Sequence, residues 1–209
     1  MIVVVETNFI IELVLQQEQS QACEAIVGLC SSHEKLRMAI PAFAVAEAGM
    51  LLERRKGERR KLVSDLPGHA REMGRTKSLR RVAEIVEELR ADLVQAELEE
   101  ASRWLDLRLR LDDEVEIIPL TGATFAETIA IQIGREIEQL PDAIVLASVK
   151  GVLEEELRES RVHVPVLFVS KDNVFGTPAV LKQLDALGCT YVNSFVNAEA
   201  RIRSHIGNG

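Results

Sequence analysis

The chain has 209 residues, enough for one domain with its own core, or one domain carrying an insertion. Apolar residues make up 47% and charged residues 28%, which excludes wholesale disorder. A net charge of −8 excludes a protein that coats nucleic acid with its whole surface, and 4% aromatics argue against a base-stacking platform.

The N-terminal MIVVVE lacks a basic segment and meets an acid at Glu6, so it does not read as a signal peptide. Ile2–Val5 is an apolar, β-branched run, as expected of a strand buried on both faces. Phe9, Ile10, Leu13 and Val14 then share one side of a helix, and a second helix is expected from Ser20 to Cys30. Cys23 and Cys30, seven apart in that pattern, are expected to pack inside. With Cys189 they make a sparse, odd set that suits a reducing compartment and offers no zinc framework. A short strand at Met38–Ile40 precedes a helix carrying Val45, Glu47 and Leu51. The apolar stretch Ala39–Leu52 is too short to span a bilayer and contains Glu47, so a cytoplasmic protein is expected.

Residues 53–113 show no strand signal. Gly57, Pro67–Gly68 and Gly74 are expected to break the first part. From Arg75 to Ile118 neither Gly nor Pro occurs, and Leu79, Val82, Val86, Leu89, Leu93 and Ala96 form one helical stripe. A helix from Lys77 to Arg110 would be about 50 Å long and needs a partner, either a second inserted helix or another subunit. Within Glu53–Arg81, eleven Lys/Arg face four Asp/Glu, a net +7 in an acidic chain. Arg54, Arg55, Lys56, Arg59, Arg60 and Lys61 are therefore candidate nucleic-acid contacts, a solvated helix face being the plainer alternative.

Strands are expected again at Glu116–Leu120, Val166–Ser170 and Thr190–Val192. Helices are expected at Thr124–Ile137, Asp142–Leu157, Thr177–Leu187 and Ser194–His205. Alternation of short strands and helices predicts an α/β fold with three α/β/α layers around a central parallel sheet, one domain with a helical insertion. His33, His69, His163 and His205 read as surface or loop residues.

Ligands of such sheets gather at the carboxyl ends of the strands. Four acids are expected there: Glu6 after the first strand, Glu47 on the helix after the second, Asp142 opening a helix, and Asp172 after the fourth strand. Gathered acids repel unless a cation neutralises them, and hard ions such as Mg²⁺ or Mn²⁺ take oxygen ligands of this kind. Each acid alone has a plainer reading: Glu6 a helix-start acid, Asp142 an N-cap, Asp172 a turn residue. Glu47, among Phe43, Ala44, Val45, Ala46, Ala48 and Met50, needs a partner or a metal.

Val3-Val4-Val5-Glu6-Thr7-Asn8, Pro41-Ala42-Phe43-Ala44-Val45-Ala46-Glu47, Pro141-Asp142-Ala143 and Phe168-Val169-Ser170-Lys171-Asp172-Asn173 together resemble, in order and placement, the motifs of the PIN domain nucleases. The resemblance covers residues 1–52 and about 115–195. It implies a divalent-metal-dependent endonuclease that hydrolyses single-stranded RNA, with Glu6, Glu47, Asp142 and Asp172 as catalytic metal ligands for Mg²⁺ or Mn²⁺. Asn8 and Ser170 would orient those carboxylates. Two positions depart from the family pattern: Glu6 stands where the family has Asp, and Val174 where many members place a further acid. They motivate the alternative of a catalytically weakened module that binds nucleic acid or protein. The partners implied are single-stranded RNA or DNA, a second copy of the chain through the insertion or the sheet edge, and a regulatory antitoxin-like protein. The insertion is longer than the compact toxin–antitoxin members carry. A phospho-receiver reading of Lys171 lacks its Asp after Ile117-Ile118-Pro119-Leu120, and no Gly-rich phosphate loop is present.

Overall fold

The computed structural model describes residues 1–159 and 164–207, and His163 lies outside them. Among the described residues, helices and strands follow in chain order: β1 (Ile2–Val5), α1 (Thr7–Leu15), α2 (Ser20–Ser32), β2 (Arg37–Pro41), α3 (Ala42–Gly74), α4 (Arg80–Glu114), β3 (Glu116–Ile118), α5 (Gly122–Ile133), α6 (Leu140–Glu159), β4 (Val166–Val169), α7 (Pro178–Ala186), β5 (Cys189–Val192) and α8 (Phe195–Gly207). Short 3₁₀ turns occupy Lys77–Leu79 and Asn173–Gly176. The fold is α/β, with five parallel strands in the order β3-β2-β1-β4-β5. It is consistent with three layers, since parallel strands need crossovers and crossover helices cover the faces. Among the described residues no helix is long and apolar enough to cross a membrane.

Two compact units are distinguished, Met1–Ala48 with Arg108–Gly209, and Gly49–Leu107. In the first, β1 and β4 are buried along their whole lengths, as their uninterrupted apolar runs require of strands covered on both faces. Their register pairs Ile2 with Val166 and Val5 with Val169. Edge-on ring pairs close the core, Phe9 with Phe195 at 5.3 Å and Phe168 with Phe175 at 5.1 Å between centroids. The three cysteines are free and buried. Burial pushes the Cys30 thiol up to about 11 and Cys189 up to about 12, so both stay protonated and pack as small apolar groups.

The second unit is the hairpin of α3 and α4. The expected breaks at Gly57 and Pro67–Gly68 do not occur: α3 is helical from Ala42 to Gly74, with Pro67 inside it. A proline removes one hydrogen bond, whereas pairing with α4 holds the helix along its length. Gly49 lies 3.6 Å from the Trp104 ring by the position its Cβ would take, and Gly74 comes as near to Ala83 at the other end. Of the α4 stripe, Val86, Leu93 and Ala96 are half-buried, while Leu79, Val82 and Leu89 stay exposed, at 40%, 40% and 46%. Helix α5 also differs from its expected span. Thr121 caps it through a reciprocal bond with Thr124, so it starts earlier, and Arg135, in the left-handed region at φ 55°, ends it before Ile137.

Candidate functional site

Strand β1 is where the sheet order turns: its chain leaves toward β2 on one side, while β4 on its other side leads to β5. Such a switch point opens a crevice at the carboxyl ends of the two strands. Because Val5 pairs with Val169, the next residues, Glu6 and Ser170, flank that crevice.

Glu6 is extended and forms the N-cap of α1, its Oε2 accepting from the Asn8 backbone N–H at 2.9 Å. The residue is only 4% exposed, and its other oxygen, Oε1, is buried without a hydrogen-bond partner among the described residues. Burial raises its carboxyl to about 7, the charge of Asp172 adding to the effect. The Asn8 amide and the side chains of Ser170 and Asn8 act the other way. Its helix-start role is therefore real but occupies one oxygen.

Glu47 has the partner its apolar surroundings called for: the buried Thr7 hydroxyl donates to its Oε2 at 2.5 Å, with the Ala44 carbonyl at 3.4 Å. Asp142 lies within the first turn of α6, which begins two residues earlier, so it is not the N-cap. Burial, then the charges of Asp172 and Glu47, raise Asp142 to about 6. Asp172 performs its turn role as well, its Oδ1 accepting from Val174 N at 3.0 Å and its own N–H donating to Ser170 Oγ at 2.9 Å. The four acids thus share one electrostatic neighbourhood, and Asn8 and Ser170 lie beside Glu6. Among the described residues, no group of three or more His, Cys, Asp or Glu is arranged to hold a metal ion.

Three contributors escape a reading of the sequence. Thr7 sits inside the Glu6-Thr7-Asn8 motif, which is the one signal it gives. Tyr191, the only tyrosine, donates from its hydroxyl to the Ser170 and Asp172 carbonyls at 3.1 and 2.9 Å, fixing the loop after β4. Burial and the charges of Asp172 and Glu6 push its phenol up to about 12, so it remains a donor. Glu12, 1% exposed, accepts from Lys171 Nζ at 2.6 Å and from Gln19 N at 2.8 Å. Gln19 Oε1 in turn accepts from Phe195 N at 2.7 Å. Its signal is the single charge in the otherwise apolar Phe9–Val14.

The six candidate cations of the insertion lie on α3 in the hairpin unit. Arg59 pairs with Glu100 at 2.8 Å and Arg60 with Glu97 at 2.6 Å, both on α4. Arg54 and Lys56 pair along their own helix with Glu58 and Glu53. Arg55 and Lys61 have no ion pair among the described residues. Val82–Leu107 carries eight acids against two arginines, so the +7 of Glu53–Arg81 faces a partner segment of −6. Of the six, Arg59 and Arg60 thus reach acids of α4, whereas Arg54 and Lys56 pair within α3. His69 lies exposed on α3 and His205 exposed on α8, while His33 is half-buried after α2. Comparison with models of known families, with curated proteins and with solved structures found no match.

Proposed function

We propose that the chain is a PIN-like nuclease that hydrolyses phosphodiester bonds of single-stranded RNA with Mg²⁺ or Mn²⁺. The observation that supports this most is the Glu6 carboxylate, buried at the switch point, raised to about 7, and with Oε1 lacking a hydrogen-bond partner among the described residues. An uncompensated buried carboxylate oxygen is costly, and a cation removes that cost. The donor set fits: four carboxylates and no thiol or imidazole suit a hard ion. Glu6, Glu47, Asp142 and Asp172 would hold it. Bound there, a divalent ion supplies charge stabilisation to the phosphate and lowers the pKa of an attacking water.

The chain's own residues prepare that site. The Asn8 N–H anchors Glu6 Oε2 and leaves Oε1 directed elsewhere. Thr7 fixes the Glu47 rotamer, and Tyr191 immobilises the backbone that carries Asp172. The test is cleavage of an end-labelled single-stranded RNA by wild type and Asp142→Asn in Mg²⁺, Mn²⁺ and chelator. Cleavage that needs the ion and falls at least about 100-fold in the variant is expected. A wild type inert with both ions overturns the reading.

The second reading, a weakened binding module, draws on one observation: no three-acid group stands ready among the described residues. It predicts RNA binding that persists in chelator without cleavage in any ion.

A further inference from the structure

A groove of about 600 Å³ is lined by Tyr191, Asn193, Asn197, Arg201, Gly176 and Leu181, among others. That volume is in the range of small-ligand sites. Asn197 and Arg201 are four apart on α8 and so project from one helix face, while Phe195, Ala198 and Ile202 bury the other. Among the described residues, the Asn193, Asn197 and Arg201 side chains have no hydrogen-bond or ion-pair partner. Gly176 has no left-handed backbone that would demand glycine, and a Cβ there would come 3.4 Å from the Tyr191 ring. Its missing side chain keeps the groove open.

Continuity with the acidic site is direct: the Tyr191 hydroxyl that holds the Asp172 carbonyl belongs to a residue that also lines this groove. Lys171, the cation adjacent to Asp172, is committed to Glu12. Arg201 is left to meet a phosphate. Asn193 and Asn197 offer both donors and acceptors, which is the chemistry that reads a base edge, and Leu181 adds an apolar contact.

We propose that this groove is a nucleotide subsite: it seats one nucleotide of a single-stranded RNA next to the bond held at the carboxylates, with Arg201 on the phosphate and the two asparagine amides on the base. The inference rests on the nuclease reading for its substrate, and its test is independent of cleavage. Fluorescence anisotropy of a labelled eight-nucleotide RNA is measured in chelator with wild type, Arg201→Glu, Arg201→Lys, Asn193→Ala with Asn197→Ala, and Gly176→Leu. Thermal unfolding of each variant checks that the exposed substitutions leave the fold intact.

Arg201→Glu is expected to weaken binding about tenfold or more and to flatten its salt dependence, with Arg201→Lys restoring most of it. The asparagine pair and Gly176→Leu are expected to weaken binding while leaving the salt slope unchanged. Wild-type binding that none of the variants alters overturns the subsite, whatever the cleavage assay reports. Absence of wild-type binding overturns it too. Loss of binding in the groove variants supports the subsite even where the ion-dependent cleavage test fails, so the two readings fail separately.

Discussion

Glu6 concentrates the energetics of the site in one side chain. Its carboxyl is raised in the fold from 4.5 to about 7, so the folded chain holds that proton more tightly than the unfolded chain does. The stabilisation is complete below about pH 4.5 and is lost as pH rises through about 7. In chelator, urea unfolding should therefore show stability falling from pH 5 to pH 8, by an amount on the order of 3 kcal/mol. Asp142, raised to about 6 but only half-buried, acts in the same direction with a smaller part. Glu6→Gln should flatten most of this slope, and an unchanged slope in that variant would place the titration elsewhere. Tyr191→Phe removes a hydroxyl that serves two backbone carbonyls. A loss of about 1 kcal/mol is expected from the same unfolding measurement.

Among the elements, the loop after β4 and the α3–α4 hairpin make opposite uses of charge. Lys171 is the cation that neutralises a carboxylate 1% exposed, so Lys171→Met strands Glu12 with one backbone donor. Unfolding should show a loss of about 3 kcal/mol, which Glu12→Gln in the same chain should partly restore. Exposed pairs on the hairpin contribute far less, and its weak point is Pro67 inside α3. Pro67→Ala should restore one helical hydrogen bond and slow hydrogen exchange of the neighbouring α3 amides, a local gain of about 1–3 kcal/mol. Unchanged protection would mean that α3 is interrupted at Pro67.

For the whole molecule, the strands were legible because β1 and β4 are unbroken apolar runs, and burial on both faces leaves no other pattern. The acids at strand ends were legible because parallel topology dictates where strands finish. Continuity of α3 through Pro67 and Gly68 was not, since local propensity is outweighed by pairing with α4. The pairing of Arg59 and Arg60 was hidden for the same reason: their counter-charges Glu100 and Glu97 lie on another helix. The role of Tyr191 was also hidden, because a hydroxyl bonded to two carbonyls of a distant loop leaves no periodic trace. Thermal unfolding with chelator, Mg²⁺ or Mn²⁺ reads out whether the acids around Glu6 form a divalent-cation site. An ion at a hundred times its Kd stabilises by about 2.7 kcal/mol, roughly 5–10 °C for a chain of this size. Such a rise is expected for wild type, with its loss in Asp142→Asn, whereas equal melting of wild type in chelator and in both ions would rule the cation site out.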